Sequence, residues 1–171
     1  MEKSKIKLYG DPVLRKKAQP VKKIDDRIRT EAAKMLEIMR KARGVGLAAN
    51  QVGLLDRLCV IDTNRGDTKG EIYTLLNPVI IRNEGKLKVE EGCLSFPELC
   101  GEVERPAYVR VRAVDLEGRE FEADAEGLLA RALQHEIDHL DGVLFIDYLS
   151  FAKKLLMKKE LDALKKLSKK R

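Results

Sequence analysis

Long apolar runs are missing from this chain. In 171 residues no stretch approaches 18 consecutive apolar side chains, which excludes a membrane-spanning helix. The opening MEKSKIKLYGD has charges but no apolar run behind them, so no secretory signal is read and a cytoplasmic location is expected. Cysteine is sparse and odd in number: Cys59, Cys93 and Cys100. That count argues against a disulfide framework and leaves thiols for metal or catalysis. Histidine is scarcer still, with only His135 and His139. Internal repeats and low-complexity segments are also absent.

The residues present fit one globular domain with at most an appendage, being 44% apolar and 36% charged. The net charge of +6 is unevenly placed. From Phe151 to Arg171 nine Lys or Arg stand against Glu160 and Asp162, a surplus of seven. The first 150 residues hold 25 basic and 26 acidic groups. The body is therefore nearly neutral and is not a nucleic-acid-binding surface; the basicity belongs to the tail.

Hydrophobic spacing predicts an extended, turn-rich arm over Tyr9–Val21 and a helix over Asp25–Arg43, capped by Asp25 or Asp26. Short β-like runs follow at Leu58–Ile61, Ile72–Ile81 (interrupted by Asn77-Pro78), Lys86–Glu90 and Tyr108–Val114. Leu116-Glu117-Gly118-Arg119 reads as a hairpin turn into Glu120–Ala123. A second helix is predicted over Ala125–Leu140. A third runs from about Tyr148 to Leu167, with Ala152, Leu155, Leu156, Leu161, Leu164 and Leu167 as its apolar stripe. The order is α+β: antiparallel β-sheets around a central helix, with an N-terminal helix and a C-terminal amphipathic one.

His135-Glu136-Ile137-Asp138-His139 is an H-E-x-x-H motif on that central helix. Positions i and i+4 share a face, so both imidazoles can bind one divalent ion while Glu136 handles the proton of a bound water. A third protein ligand is needed. Glu160, on the following helix, is one candidate, as in zincin-type peptidases; Cys93, in Glu91-Gly92-Cys93-Leu94-Ser95, is the other. Cys59 sits in an apolar strand and is read as core. Gln134 and Asp138 flank the histidines as candidates for orienting them.

Taken in order, GVGLAANQVG (44–53), EGCLS (91–95) and QHEIDHLDG (134–142) resemble the three signature motifs of the peptide deformylase family, and Gly10-Asp11-Pro12-Val13-Leu14-Arg15 resembles its N-terminal region. The resemblance implies removal of the N-formyl group from the initiator N-formylmethionine of nascent polypeptides, releasing formate. It implies Cys93, His135 and His139 as ligands of one divalent metal, usually Fe2+, with Zn2+, Ni2+ or Co2+ able to occupy the site. Such an ion lowers the pKa of its water to about 7; Glu136 takes the proton as general base, and hydroxide attacks the formyl carbon. Gln51 and the Leu94 backbone N–H match the donors that stabilise the oxyanion. Substrate backbone would pair with Val45-Gly46 and Gly92, and Val45, Val89, Leu94 and Leu128 would line the methionine pocket, with Arg131 facing it. Residues 1–149 would form the catalytic domain and 150–171 a basic helical extension of it, able to contact the ribosome near the peptide exit. Two other readings compete: a zincin-like peptidase, and a non-catalytic, metal-stabilised ribosome-binding factor.

Overall fold

The computed structural model describes residues 6–64 and 69–170; the first five residues of the opening segment and Arg171 of the basic tail lie outside them. Helix α1 (Asp26–Lys41) forms because Ile28, Ala32, Met35 and Met39 recur at helical spacing and are all buried. Asp25 caps it by accepting the Ile28 N–H at 3.1 Å. The helix stops short of the predicted Arg43, which takes a φ of +58° and turns the chain away.

Seven strands follow: β1 (Gly46–Ala48), β2 (Leu58–Asp62), β3 (Ile72–Glu84), β4 (Leu87–Cys93), β5 (Phe96–Arg105), β6 (Tyr108–Val114) and β7 (Glu120–Glu126). All pairings between them are antiparallel. They form a five-stranded sheet ordered β1-β2-β3-β6-β7 and a separate β4–β5 ribbon. The sequence predicts neither β1 nor β5. Every residue of β1 is buried, which erases the alternation of a strand, and the buried face of β5 is carried by Gly101 and Arg105 as well as Val103. At Asn77-Pro78, where an interruption is predicted, β3 continues: register shifts absorb the irregularity and the Asn77 carboxamide bonds both the N–H and the C=O of Val21.

The β6–β7 hairpin is as predicted, its turn closed by Asp115 accepting the amides of Glu117 and Arg119. β7 runs on through Ala125 and Glu126, so α2 (Gly127–Leu140) starts later than predicted. The corner needs Gly127, whose φ of +56° strains any side-chain-bearing residue.

The C-terminal segment differs most. In place of one helix from Tyr148 to Leu167 there is a 3-10 turn at Phe145–Tyr148, a short α3 (Phe151–Leu156) and α4 (Lys158–Ser168). The chain bends at Met157 so that Met157, Leu161 and Leu164 enter the core; Phe151 (81% exposed) and Leu156 (79%) are left in solvent, as are Ala152, Leu155 and Leu167.

Two cores result. One lies between α1, α2 and the large sheet and includes Ile28, Met39, Leu47, Cys59, Leu75 and Leu133. The other gathers Leu14, Phe96, Val103, Phe145, Leu161 and Leu164 beneath the ribbon. The architecture is the expected α+β class, with α2 central: it packs on β1, β2 and β7.

Candidate active site

Helix α2 carries His135, Glu136 and His139 to the seam between the two cores. The imidazoles stand one turn apart, their ring centroids 4.9 Å from each other. Cys93 arrives from the last position of β4, where a register shift after Gly92 breaks the ladder. Its Sγ lies 3.2 Å from His139 Nε2, and the ligand atoms of Cys93, His135 and His139 all fall within 4.8 Å of one another. Glu160 is exposed on α4 and does not join this group.

Gln51 is fixed beside the sulfur. Its Oε1 accepts the Ala48 N–H at 2.8 Å, which turns Nε2 toward Ser95 Oγ (3.2 Å) and Cys93 Sγ (3.5 Å). The Ser95 N–H also points at Sγ, at 3.4 Å.

Behind His135 stands a buried ionic chain that sequence reading did not find. His135 Nδ1 is 3.2 Å from Glu91 Oε2, which leaves Nε2 as the ring's free nitrogen. Glu91 in turn receives a two-pronged bond from Arg105, Nε to Oε1 at 2.5 Å and Nη2 to Oε2 at 3.0 Å. A further Arg105 donor reaches Asp138 Oδ2 at 2.8 Å, where the Tyr148 hydroxyl also donates. The Tyr148 ring covers the guanidinium, 4.9 Å from its centroid. Burial alone would raise the Glu91 pKa, but the His135 and Arg105 bonds hold it below the usual carboxylate range. Asp138 therefore orients His135 at second hand. Gln134 does not: its carboxamide bonds the carbonyls of Pro106 and Ala130 and anchors the helix. The adjacent acids Glu90 and Glu91 before Gly92-Cys93 were a visible signal for Glu91. Nothing near Arg105 in sequence announces it.

Burial pushes the Glu136 carboxyl up to about 7. Burial, with His135 nearby, holds His139 well below the ordinary histidine value, so its imidazole is neutral and able to ligate. Gly46 makes room for Glu136: a Cβ there would run into the Glu136 carboxylate. Among the described residues, the buried side-chain polar atoms lacking any partner are Asn50 Oδ1, Glu136 Oε2 and His139 Nδ1; Glu136 belongs to the cavity lining, whereas His139 turns its other nitrogen, Nε2, toward Cys93. A native protein leaves few such groups, and the free Glu136 Oε2 sits where a proton could be handled. One cysteine sulfur and two imidazoles, their ligand atoms within 4.8 Å of one another, form a soft S/N/N set suited to a first-row divalent metal.

A cavity of ≈ 700 Å³ opens over these groups. Val45, Gly46, Gln51, Gly92, Leu94 and Leu128 line it, as do Cys93, His135 and Glu136, while His139 lies behind them. Val89, expected in the apolar wall, lies beyond it. Arg131 is half-buried on the wall and bonds no described residue. β1 is an end strand, paired in the sheet only with β2, and its first residue, Gly46, lines the cavity. Cys59 is wholly buried in the core as expected, and Cys100 is exposed, donating to Glu90.

Comparison with known proteins agrees with this geometry. Residues 3–155 match the family model described as polypeptide deformylase. The chain is 49% identical over 166 residues to a peptide deformylase of Endomicrobium trichonymphae, covering 97% of this chain and 98% of that one. It is 52% identical over 145 residues to peptide deformylase 1 of Clostridium acetobutylicum, covering 85% of this chain and 93% of that one. Among solved structures, peptide deformylase from Thermus thermophilus superposes with a TM-score of 0.88 at 45% identity, covering 96% and 98% of the two chains. The Arabidopsis thaliana peptide deformylase 1B, in complex with an inhibitor, gives 0.91 at 38% identity, covering 97% and 93%.

Proposed function

The chain belongs to the polypeptide deformylase family, enzymes that remove the N-formyl group from nascent peptides, and from that premise we propose how its own residues carry out the reaction. Its substrate is the initiator N-formylmethionine of nascent polypeptides, hydrolysed co-translationally in the cytoplasm to formate and a free amine. Cys93, His135 and His139 hold one divalent metal, Fe2+ in vivo, the same donor set accepting Zn2+, Ni2+ or Co2+. When bound there, the ion acidifies a water and polarises the formyl oxygen.

Glu136 moves the proton. Its buried carboxyl, with Oε2 unpartnered, accepts a proton from the attacking water and returns it to the departing amine. The Gln51 Nε2 and the Leu94 N–H donate to the oxygen on which charge develops. The substrate backbone pairs with Val45-Gly46, where the chain enters β1, and with Gly92 of β4, all on the cavity lining. Such pairing reads main chain and tolerates varied sequence downstream. Val45, Leu94 and Leu128 form the apolar wall for the methionine side chain, with the Arg131 stem beside them.

Residues 1–149 form the catalytic domain in this reading, and 150–171 a basic extension. The extension anchors the enzyme to ribosomal RNA near the peptide exit through the lysines of α3 and α4. No helix among the described residues is long and apolar enough to cross a membrane.

One observation carries the proposal: a cysteine sulfur and two helix-borne imidazoles converge beside a buried carboxyl with a free oxygen. The test is formate release from formyl-Met-Ala-Ser, run alongside cleavage of an unformylated peptide. Formate without peptide cleavage is expected. Cleavage without formate would make the protein a zincin-like peptidase, and neither product would favour a binding factor.

A further inference from the structure

Arg131 gives the cavity a capacity that a purely apolar methionine pocket lacks. It lies three residues after Leu128 and four before His135, on the α2 stripe that faces the cavity. Its guanidinium brings five N–H donors to that wall, and none is used within the described structure. Of the carboxylates on the lining, Glu91 is held by Arg105 and His135 and Glu90 accepts from the Cys100 thiol at 3.0 Å, while Glu98 is exposed and makes no ion pair with Arg131.

Resting on the methionine pocket proposed above, we propose that Arg131 lets this site deformylate peptides whose first side chain ends in a hydrogen-bond acceptor, above all oxidised N-formylmethionine, the sulfoxide. A thioether sulfur is a weak acceptor, whereas a sulfoxide carries a strongly polar oxygen on a side chain of nearly the same length. A pocket with no donor strands that oxygen and discriminates against it by about ten- to a hundredfold. Arg131 satisfies it while its methylene stem still packs against reduced methionine. The bond chemistry is unchanged. Water adds OH to the formyl carbon and H to the leaving nitrogen, the C–N bond breaks, and the sulfur keeps its oxidation state.

The test compares kcat/KM for formyl-Met-Ala-Ser, its methionine sulfoxide counterpart and the norleucine counterpart, which has the length but no acceptor. The unmodified enzyme should process the sulfoxide within about fivefold of norleucine. Arg131→Leu should lower the sulfoxide-to-norleucine ratio tenfold or more, mainly through KM, and Arg131→Lys should restore part of it. Should Arg131→Leu not fold, Arg131→Met carries the same comparison. An unmodified enzyme that rejects the sulfoxide a hundredfold overturns the inference, as does a ratio that Arg131→Leu leaves within twofold. In either case turnover of formyl-Met-Ala-Ser leaves the proposed activity standing. Absence of formate from every peptide overturns both.

Discussion

Gly46 sets how closely β1 can approach Glu136, so the smallest side-chain addition at this site is also an informative one. Gly46→Ala would place a methyl against the Glu136 carboxylate, and displacing a proton carrier by about 1 Å costs on the order of a hundredfold in rate. Turnover should fall that far while the melting temperature moves little. Glu136→Ala should keep its metal and lose about a thousandfold in kcat, read from formate release beside elemental analysis. The Glu91–Arg105 pair makes a different prediction. Both side chains are nearly sealed from solvent, at 6% and 4% exposure. Arg105→Met therefore strands a buried carboxylate and should cost about 3–5 kcal/mol in urea unfolding. Glu91→Gln should weaken metal retention about 10- to 100-fold, because His135 loses the partner that fixes its ring. A chelator titration reads that loss, and unchanged retention would remove Glu91 from the role.

At the scale of elements, the C-terminal bend separates apolar residues that look equivalent in sequence. Leu161→Ala or Leu164→Ala should cost roughly 2–3 kcal/mol, since both side chains fill the second core. Leu156→Ser on α3 should stay within about 0.5 kcal/mol, because its side chain is already in solvent. Urea midpoints distinguish the two. The arm and the 3-10 turn after α2 are tied by Arg15 and Asp147, and Asp147 also accepts the Leu144 N–H. Burial pushes the Asp147 carboxyl up, but the Arg15 and Leu144 bonds outweigh it and hold the pKa below the usual aspartate value. A depressed carboxylate stabilises the fold above its unfolded pKa, and that contribution fades as pH falls through the folded value. Asp147→Asn should therefore lower the melting temperature at pH 7 and leave it nearly unchanged near about pH 2. The loss is a few tenths to about 1 kcal/mol, because both side chains are more than a third exposed. Elements with a repeating solvent face were legible in the sequence: α1, the β6–β7 hairpin and most of α2. Those without one were not. β1 is buried throughout, the buried face of β5 is carried by Gly101 and Arg105 as well as Val103 and so does not read as apolar alternation, and the break at Met157 answers to a core formed by Leu14 and Phe96, more than fifty residues away.

Across the whole molecule, charge is divided between a nearly neutral body and a lysine-rich end. Reversing Lys166, Lys169 and Lys170 is the clean probe of ribosome contact. Lys165 is best left alone because its ammonium lies 5.4 Å from the centre of the Tyr9 ring and so belongs to the fold. Co-sedimentation with ribosomes should weaken at low salt in the reversed variant, with formate release intact; unchanged co-sedimentation would dismiss the anchor. The candidate site was more legible than the fold that holds it. His135, Glu136 and His139 follow from helical spacing, and Cys93 and Gln51 from ordered motifs. Glu91, Arg105 and Tyr148 come together only when β4, β5 and the turn after α2 fold onto one another. The central claim is that Cys93, not Glu160, completes the metal site. Elemental analysis of anaerobically purified protein, with formate release measured in parallel, tests it most directly. The account predicts about one equivalent of metal and full turnover in the unmodified chain and in Glu160→Gln, and loss of both in Cys93→Ala. Metal kept by Cys93→Ala and lost by Glu160→Gln would contradict it.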